Sequence, residues 1–215
     1  MNQILDFEKS INNAKAYVKK VASDLKPENC EIFLETKTDR HYTIVVMIPT
    51  HIASKMDQFQ KKLLEIESSL VTGSKDLMHL TLIYLPGDRD IDEIKMFLED
   101  YFKGSKFGFS LSGLFISSKG MGVAAYPSND TLINLRMKMG EKFDFPFSLS
   151  GLEHISWITL ARVSKKPSQE FIDYLKLNFD KDFGSFQVSK VDIFENKDKT
   201  LAGAKKLFSI PLELN

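Results

Sequence analysis

Two segments of this chain set an imidazole beside a small hydroxyl in the same way: His79-Leu80-Thr81-Leu82-Ile83-Tyr84-Leu85 and, 75 residues later, His154-Ile155-Ser156-Trp157-Ile158-Thr159-Leu160. Both are apolar runs with β-branched residues, the composition of a strand. Side chains at i and i+2 of a strand point to one face, so each segment offers a histidine and a hydroxyl side by side. A histidine near its pKa accepts a proton from water or a sugar hydroxyl while a second, protonated one donates to the departing oxygen. In-line displacement at a phosphodiester uses both groups, on opposite sides of phosphorus. The hydroxyls of Thr81 and Ser156 would hold the non-bridging oxygens, supplying positioning and charge stabilisation with no metal ion and no cofactor.

The elements that must position these pairs read as a duplication. Val45–Thr50 and Gly122–Ser128 are apolar runs ended by Pro and a hydroxyl residue, and each leads into a helical stripe. The first stripe is Ile52, Met56, Phe59, Leu63 and Ile66; the second is Leu132, Leu135 and Met139. After each histidine segment comes another helix, marked by Ile91, Ile94, Leu98 and Phe102 and by Phe171, Ile172, Leu175 and Phe179, the latter begun by Pro167. A Phe-Gly strand follows each, Phe107–Phe115 and Phe183–Phe194. The unit is therefore strand, helix, histidine strand, helix, strand, used twice. Equivalent strands of two such units meet near the pseudo-axis, which predicts that His79, Thr81, His154 and Ser156 converge on one cleft.

With 215 residues, 43% of them hydrophobic, the chain can bury a sizeable core, and no linker or low-complexity segment divides residues 39–215. Residues 1–38 form an extension, with a helical stripe of Ile4, Ile11, Val18, Val21 and Leu25 and strand-like alternation from Cys30 to Thr36, expected to lie on an edge of the repeat. The formal net charge is zero and no Lys/Arg run exceeds two residues, so no track for duplex DNA is expected; a nucleotide or short RNA remains compatible. One cysteine excludes an internal disulfide and a cysteine-based zinc site, and four scattered histidines show no metal-ligand spacing. Neither a signal-peptide segment nor a transmembrane run is evident, which sets the expectation of an intracellular, cytoplasmic protein without membrane contact. The 17 Phe residues fall on apolar stripes and read as core.

His79-Leu80-Thr81-Leu82 and His154-Ile155-Ser156-Trp157 resemble the paired H-x-[ST]-hydrophobic motifs of the 2H phosphoesterase superfamily, the LigT-like or 2′-5′ RNA ligase-like proteins, with matching element order from about Tyr42 to Leu214. The resemblance implies an α/β (α+β) bilobal, pseudo-twofold fold whose central cleft lies between two antiparallel-type sheets flanked by helices. It also implies two catalytic histidines, phosphate-binding hydroxyls, and substrates among 2′,3′-cyclic phosphates, 2′-5′ or 3′-5′ linkages and cyclic oligonucleotides. Two rival functions stay open: a nucleotide- or RNA-binding module with a degenerate second motif, and an ATP-independent RNA ligase running cleavage in reverse.

Two registers are available for the second motif. Thr159-Leu160-Ala161-Arg162 fits the family's H-x-T-L-A-R ending, which puts Trp157 at the histidine position. Pro49 precedes His79 by 30 residues and Pro127 precedes Trp157 by the same 30, but His154 by 27. The internal match of HLTLIYL with HISWITL and the freedom of loop length before a strand favour His154 and Ser156. On that register Arg162 shares their facing parity and reaches the cleft mouth, while Trp157 points the other way, into the core.

Overall fold

The protein is described here from a computed structural model in which residues 7–30, 39–117, 120–144, 154–197 and 201–212 are placed; the strand expected from Cys30 to Thr36 falls almost wholly outside them. The chain runs α1 (Phe7–Ser23), β1 (His41–Met47), α2 (Thr50–Ile66), β2 (Leu70–Thr72), β3 (His79–Pro86), α3 (Ile91–Phe102), β4 (Gly108–Ser117), β5 (Gly120–Pro127), α4 (Thr131–Phe143), β6 (Ser156–Val163), α5 (Gln169–Leu177), β7 (Asp182–Gln187), β8 (Lys190–Asn196) and β9 (Lys205–Pro211). Two of the helices start where the sequence supplies a side-chain acceptor. Asp90 takes the N–H groups of Asp92 and Glu93 at the head of α3, and Ser168 takes that of Phe171 at the head of α5.

The strands form two antiparallel sheets, ordered β3-β1-β8-β9 and β2-β6-β5-β4-β7. The duplication is visible in this order. In the first sheet the histidine strand β3 pairs with β1 and β1 with β8; in the second, β6 pairs with β5 and β5 with β4. Each unit's last strand has crossed to the other unit's sheet. The helices cross as well: α2, which follows β1, lies against β2, β6 and β7 of the second sheet, and α4, which follows β5, lies against β3 of the first. Each lobe is thus completed by elements of the other.

The segment from Phe183 to Phe194, expected as one strand, is two. β7 has the alternating burial of an edge strand, while Val191, Asp192 and Ile193 of β8 are all buried, as a central strand requires. The bend at Val188 and Ser189 sends the first piece to β4 and the second to β1. The extension also lies elsewhere than expected. Ile11, Ala14 and Val18 of α1 cover Ala124, Tyr126 and Ile155, so α1 sits on a face of the second sheet rather than at an edge. Burial there pushes the Tyr126 pKa up to about 12. Among the described residues, no helix is long and apolar enough to cross a membrane.

Candidate functional site

β3 sets the pattern of the site. His79 and Thr81 stand half-buried on one face while Leu80 and Leu82 are buried on the other. Strict alternation would then turn Tyr84 into the core. Instead the register slips between the pairs Ile44–Ile83 and Val45–Thr81, leaving Leu82 as a bulge residue. Leu82 and Ile83 are both buried, alternation resumes one residue late, and Tyr84 emerges 56% exposed on the face of His79 and Thr81. The Thr81 hydroxyl reaches the Tyr84 hydroxyl at 3.5 Å.

β6 repeats this pattern position by position, but from Trp157. Trp157 and Thr159 are exposed, Ile158 is buried between them, Leu160 and Ala161 are both buried, and Arg162 emerges half-buried. The slip falls at the equivalent place, between Gly122–Thr159 and Met121–Ala161, with Leu160 as the bulge. Glycine is required at 122, because a Cβ there would stand 2.2 Å from the carbonyl oxygen of Ile158. His79, Thr81 and Tyr84 of one lobe therefore correspond to Trp157, Thr159 and Arg162 of the other.

This corrects the expected register. His154 lies in the turn before β6, its side chain only 4% exposed, and does not line the cleft. Ser156 does border the cleft, but on the strand face opposite Trp157, and its hydroxyl donates to the Thr81 carbonyl at 2.8 Å, joining the two sheets. Arg162 reaches the cleft as expected, although the bulge, not the parity of His154, brings it there. Trp157 points into the cleft rather than into the core, 44% exposed. The cleft itself is a cavity of about 580 Å³, bordered by His79, Thr81, Tyr84, Trp157, Thr159 and Arg162 together with apolar side chains such as Val71 and Leu77. That volume suits a small molecule or a nucleotide.

The ring of His79 is fixed by its own backbone. Nδ1 donates to the Leu77 carbonyl at 2.7 Å, which leaves Nε2 as the acceptor nitrogen of the neutral ring. Burial holds the His79 pKa below the usual histidine range; the Leu77 hydrogen bond opposes that shift and the positive charge of Arg162 adds to it. The neutral, proton-accepting form therefore prevails at neutral pH. An indole, by contrast, has only an N–H to give. Among the described residues no three His, Cys, Asp or Glu side chains come together as a metal site would need.

Two residues that sequence reasoning missed hold the bulges open. Arg136 of α4 donates from Nε to the Leu82 carbonyl at 2.9 Å, and Gln60 of α2 donates from Nε2 to the Leu160 carbonyl at 2.6 Å. These are equivalent bulge carbonyls, each met by the helix that crosses from the other lobe. Arg136 also spans to the Ile155 carbonyl through Nη1, at 2.9 Å. The signal was present in the sequence: Gln60 follows Met56 by four, and Arg136 follows Leu132 by four, so each is a polar residue inside an apolar stripe. Gln60→Leu should leave the Leu160 carbonyl buried and unpaired, a loss of about 1–3 kcal/mol of stability in denaturant unfolding. Unchanged stability would mean that the bulge does not depend on this bond.

No protein-family model and no curated protein matches the sequence. Solved structures do match the fold. E. coli LigT complexed with 3′-AMP is similar at 14% identity with a TM-score of 0.55, over 81% of this chain and 99% of that one. A phosphoesterase is similar at 14% identity and a TM-score of 0.54, over 81% and 99%. A Thermus thermophilus protein is similar at 16% and 0.51, over 80% and 97%. LigT has also been solved with ATP, with phosphate and with NADP+. The chain thus has the LigT-like bilobal fold, with two antiparallel sheets and helices around a central cleft. At position 157, the place equivalent to His79, it carries a tryptophan.

Proposed function

We propose that the cleft binds a nucleotide phosphodiester and cleaves it with His79 as its single proton-transfer group, as a 2H-type phosphodiesterase that keeps one of the two acid–base positions. The observation that carries this reading is the residue-by-residue match of β3 with β6, which sets Trp157 against His79. The LigT complexes with 3′-AMP, ATP, phosphate and NADP+ support a nucleotide phosphate as the kind of ligand.

In this reading Nε2 of His79 takes a proton from the attacking water or ribose hydroxyl, and the Leu77 carbonyl keeps the ring in the tautomer that can do so. The Thr81 and Thr159 hydroxyls donate to the non-bridging oxygens, and Arg162 offsets the charge that builds on them. Thr159 takes the part expected of Ser156. The leaving oxygen finds no protein acid at the Trp157 position and takes its proton from water. Phosphodiesters with a stabilised leaving group are then the better substrates, and those that expel a sugar alkoxide are slow.

The test is turnover in EDTA on three esters that share one nucleotide: a nitrophenyl ester, a 2′,3′-cyclic phosphate and a 2′-5′ dinucleotide. Saturable turnover that is fastest on the nitrophenyl ester is expected. Equal rates on all three would show that a protein acid serves the leaving group. Activity abolished by EDTA and restored by Mg²⁺, Mn²⁺ or Zn²⁺ would overturn the scheme. Saturable binding with no turnover of any of the three would favour the rival reading, a nucleotide-binding module, for which the loss of a proton carrier at Trp157 is also the motivating observation.

A further inference from the structure

Large apolar side chains in this protein are mostly buried, yet four of the eight that are exposed among the described residues border the cleft: Val71, Leu77, Tyr84 and Trp157. Two of the four are aromatic, and both occupy positions of the duplicated site pattern. Trp157 corresponds to His79, and Tyr84 to Arg162. The pseudo-axis that exchanges β3 with β6 therefore exchanges the pair His79–Arg162 with the pair Trp157–Tyr84. The first pair supplies an imidazole and a guanidinium, and the second supplies ring surface.

We propose that Trp157 and Tyr84 form a stacking platform for a nucleobase, so that the ligand of this cleft is a nucleotide lying with its phosphate toward His79 and Arg162 and its base on the two aromatic rings. The inference rests on the phosphate-binding reading above and assigns the other half of the ligand. His79 and Arg162 border the same cleft. Trp157 and Tyr84 border it as well, at the positions that the pseudo-twofold makes equivalent to those two. An anionic group joined to a flat, weakly polar ring system matches a cleft divided in this way, and aromatic rings stack on any base without reading its edges. Helix α1 leaves the platform open. It covers Ala124 and Tyr126 on the same sheet face, Ala124 being paired directly with Trp157, but the indole itself remains 44% exposed.

Trp157 is the only tryptophan in the chain, so intrinsic tryptophan emission reports on this ring alone. The experiment titrates the full chain with 2′,3′-cyclic AMP and with ribose 5-phosphate, following emission and, in parallel, binding heat. Cyclic AMP should bind with a change in tryptophan emission, and ribose 5-phosphate should bind more weakly with none. The ratio of the two affinities should fall about tenfold or more in Trp157→Ala and be largely restored in Trp157→Phe, which keeps a ring at the same exposed place. Cyclic AMP binding with unchanged emission, or an affinity ratio that Trp157→Ala leaves intact, would overturn the platform while sparing the phosphate site. Absence of binding by both ligands would overturn the phosphate-site reading and the platform with it.

Discussion

Trp157→His should raise kcat for a 2′,3′-cyclic nucleotide roughly a hundredfold, because a positioned general acid or base contributes about 10²–10⁴ in rate and this is the position that lacks one. The local geometry can receive the new ring. His79 is oriented by the carbonyl two residues before it, and the corresponding carbonyl, that of Ile155, stands at the equivalent place, already accepting from Arg136 with a second lone pair to offer. The same substitution removes the aromatic platform, so KM for the nucleotide should rise as kcat rises. Steady-state kinetics in EDTA separates the two effects. A variant no faster than the parent on a cyclic phosphate would show that the indole does not stand in for a missing proton carrier.

Removing the remaining imidazole has the opposite effect. His79→Ala should lower kcat by about a hundredfold or more on every ester that the protein turns over, while the melting temperature stays near that of the parent, since the side chain is only half-buried and its hydrogen bond is to a neighbouring carbonyl. Nucleotide binding should survive, carried by Arg162 and the aromatic rings. His154→Ala is the informative comparison. Its side chain is buried outside the cleft, so truncation should lower the melting temperature and leave kcat of the folded protein unchanged. The reverse outcome, an inert His79 and a required His154, would restore the register that the sequence favours.

Why the sequence favoured that register has a physical answer. Alternation along β3 and β6 is interrupted once in each strand, and a bulge is a one-residue insertion with no signature in residue type: Leu82 and Leu160 are ordinary strand leucines. Without the bulges, Arg162 follows the parity of His154 and Tyr84 falls in the core. With them, the match begins at Trp157, as the equal spacing from Pro49 to His79 and from Pro127 to Trp157 already indicated. What depended on stripes rather than on register was legible: the five-element repeat, the buried faces of α2 through α5, and the pairing of His79 with Thr81. What depended on long-range exchange was not. Nothing local tells β8 to leave its own lobe for β1, or α1 to settle on a sheet face, because each choice is made by the apolar surface left uncovered elsewhere. Gln60 and Arg136 lie between these cases, since a polar side chain inside an apolar stripe marks a buried partner without naming it.

The most direct test of a one-base cleft is the pH dependence of kcat/KM, measured in EDTA on the parent protein and on Trp157→His side by side. In the parent only His79 titrates in the reaction, and it must be neutral to accept a proton. Since burial and Arg162 hold its pKa below the usual histidine range, the rate should climb through that lowered value as pH rises and then stay level, a single ascending limb. Trp157→His adds a group that must be protonated to serve the leaving oxygen, so its profile should turn down again at higher pH and become bell-shaped. A bell-shaped profile in the parent protein would contradict the account, because it would require a second titrating group at work in the cleft.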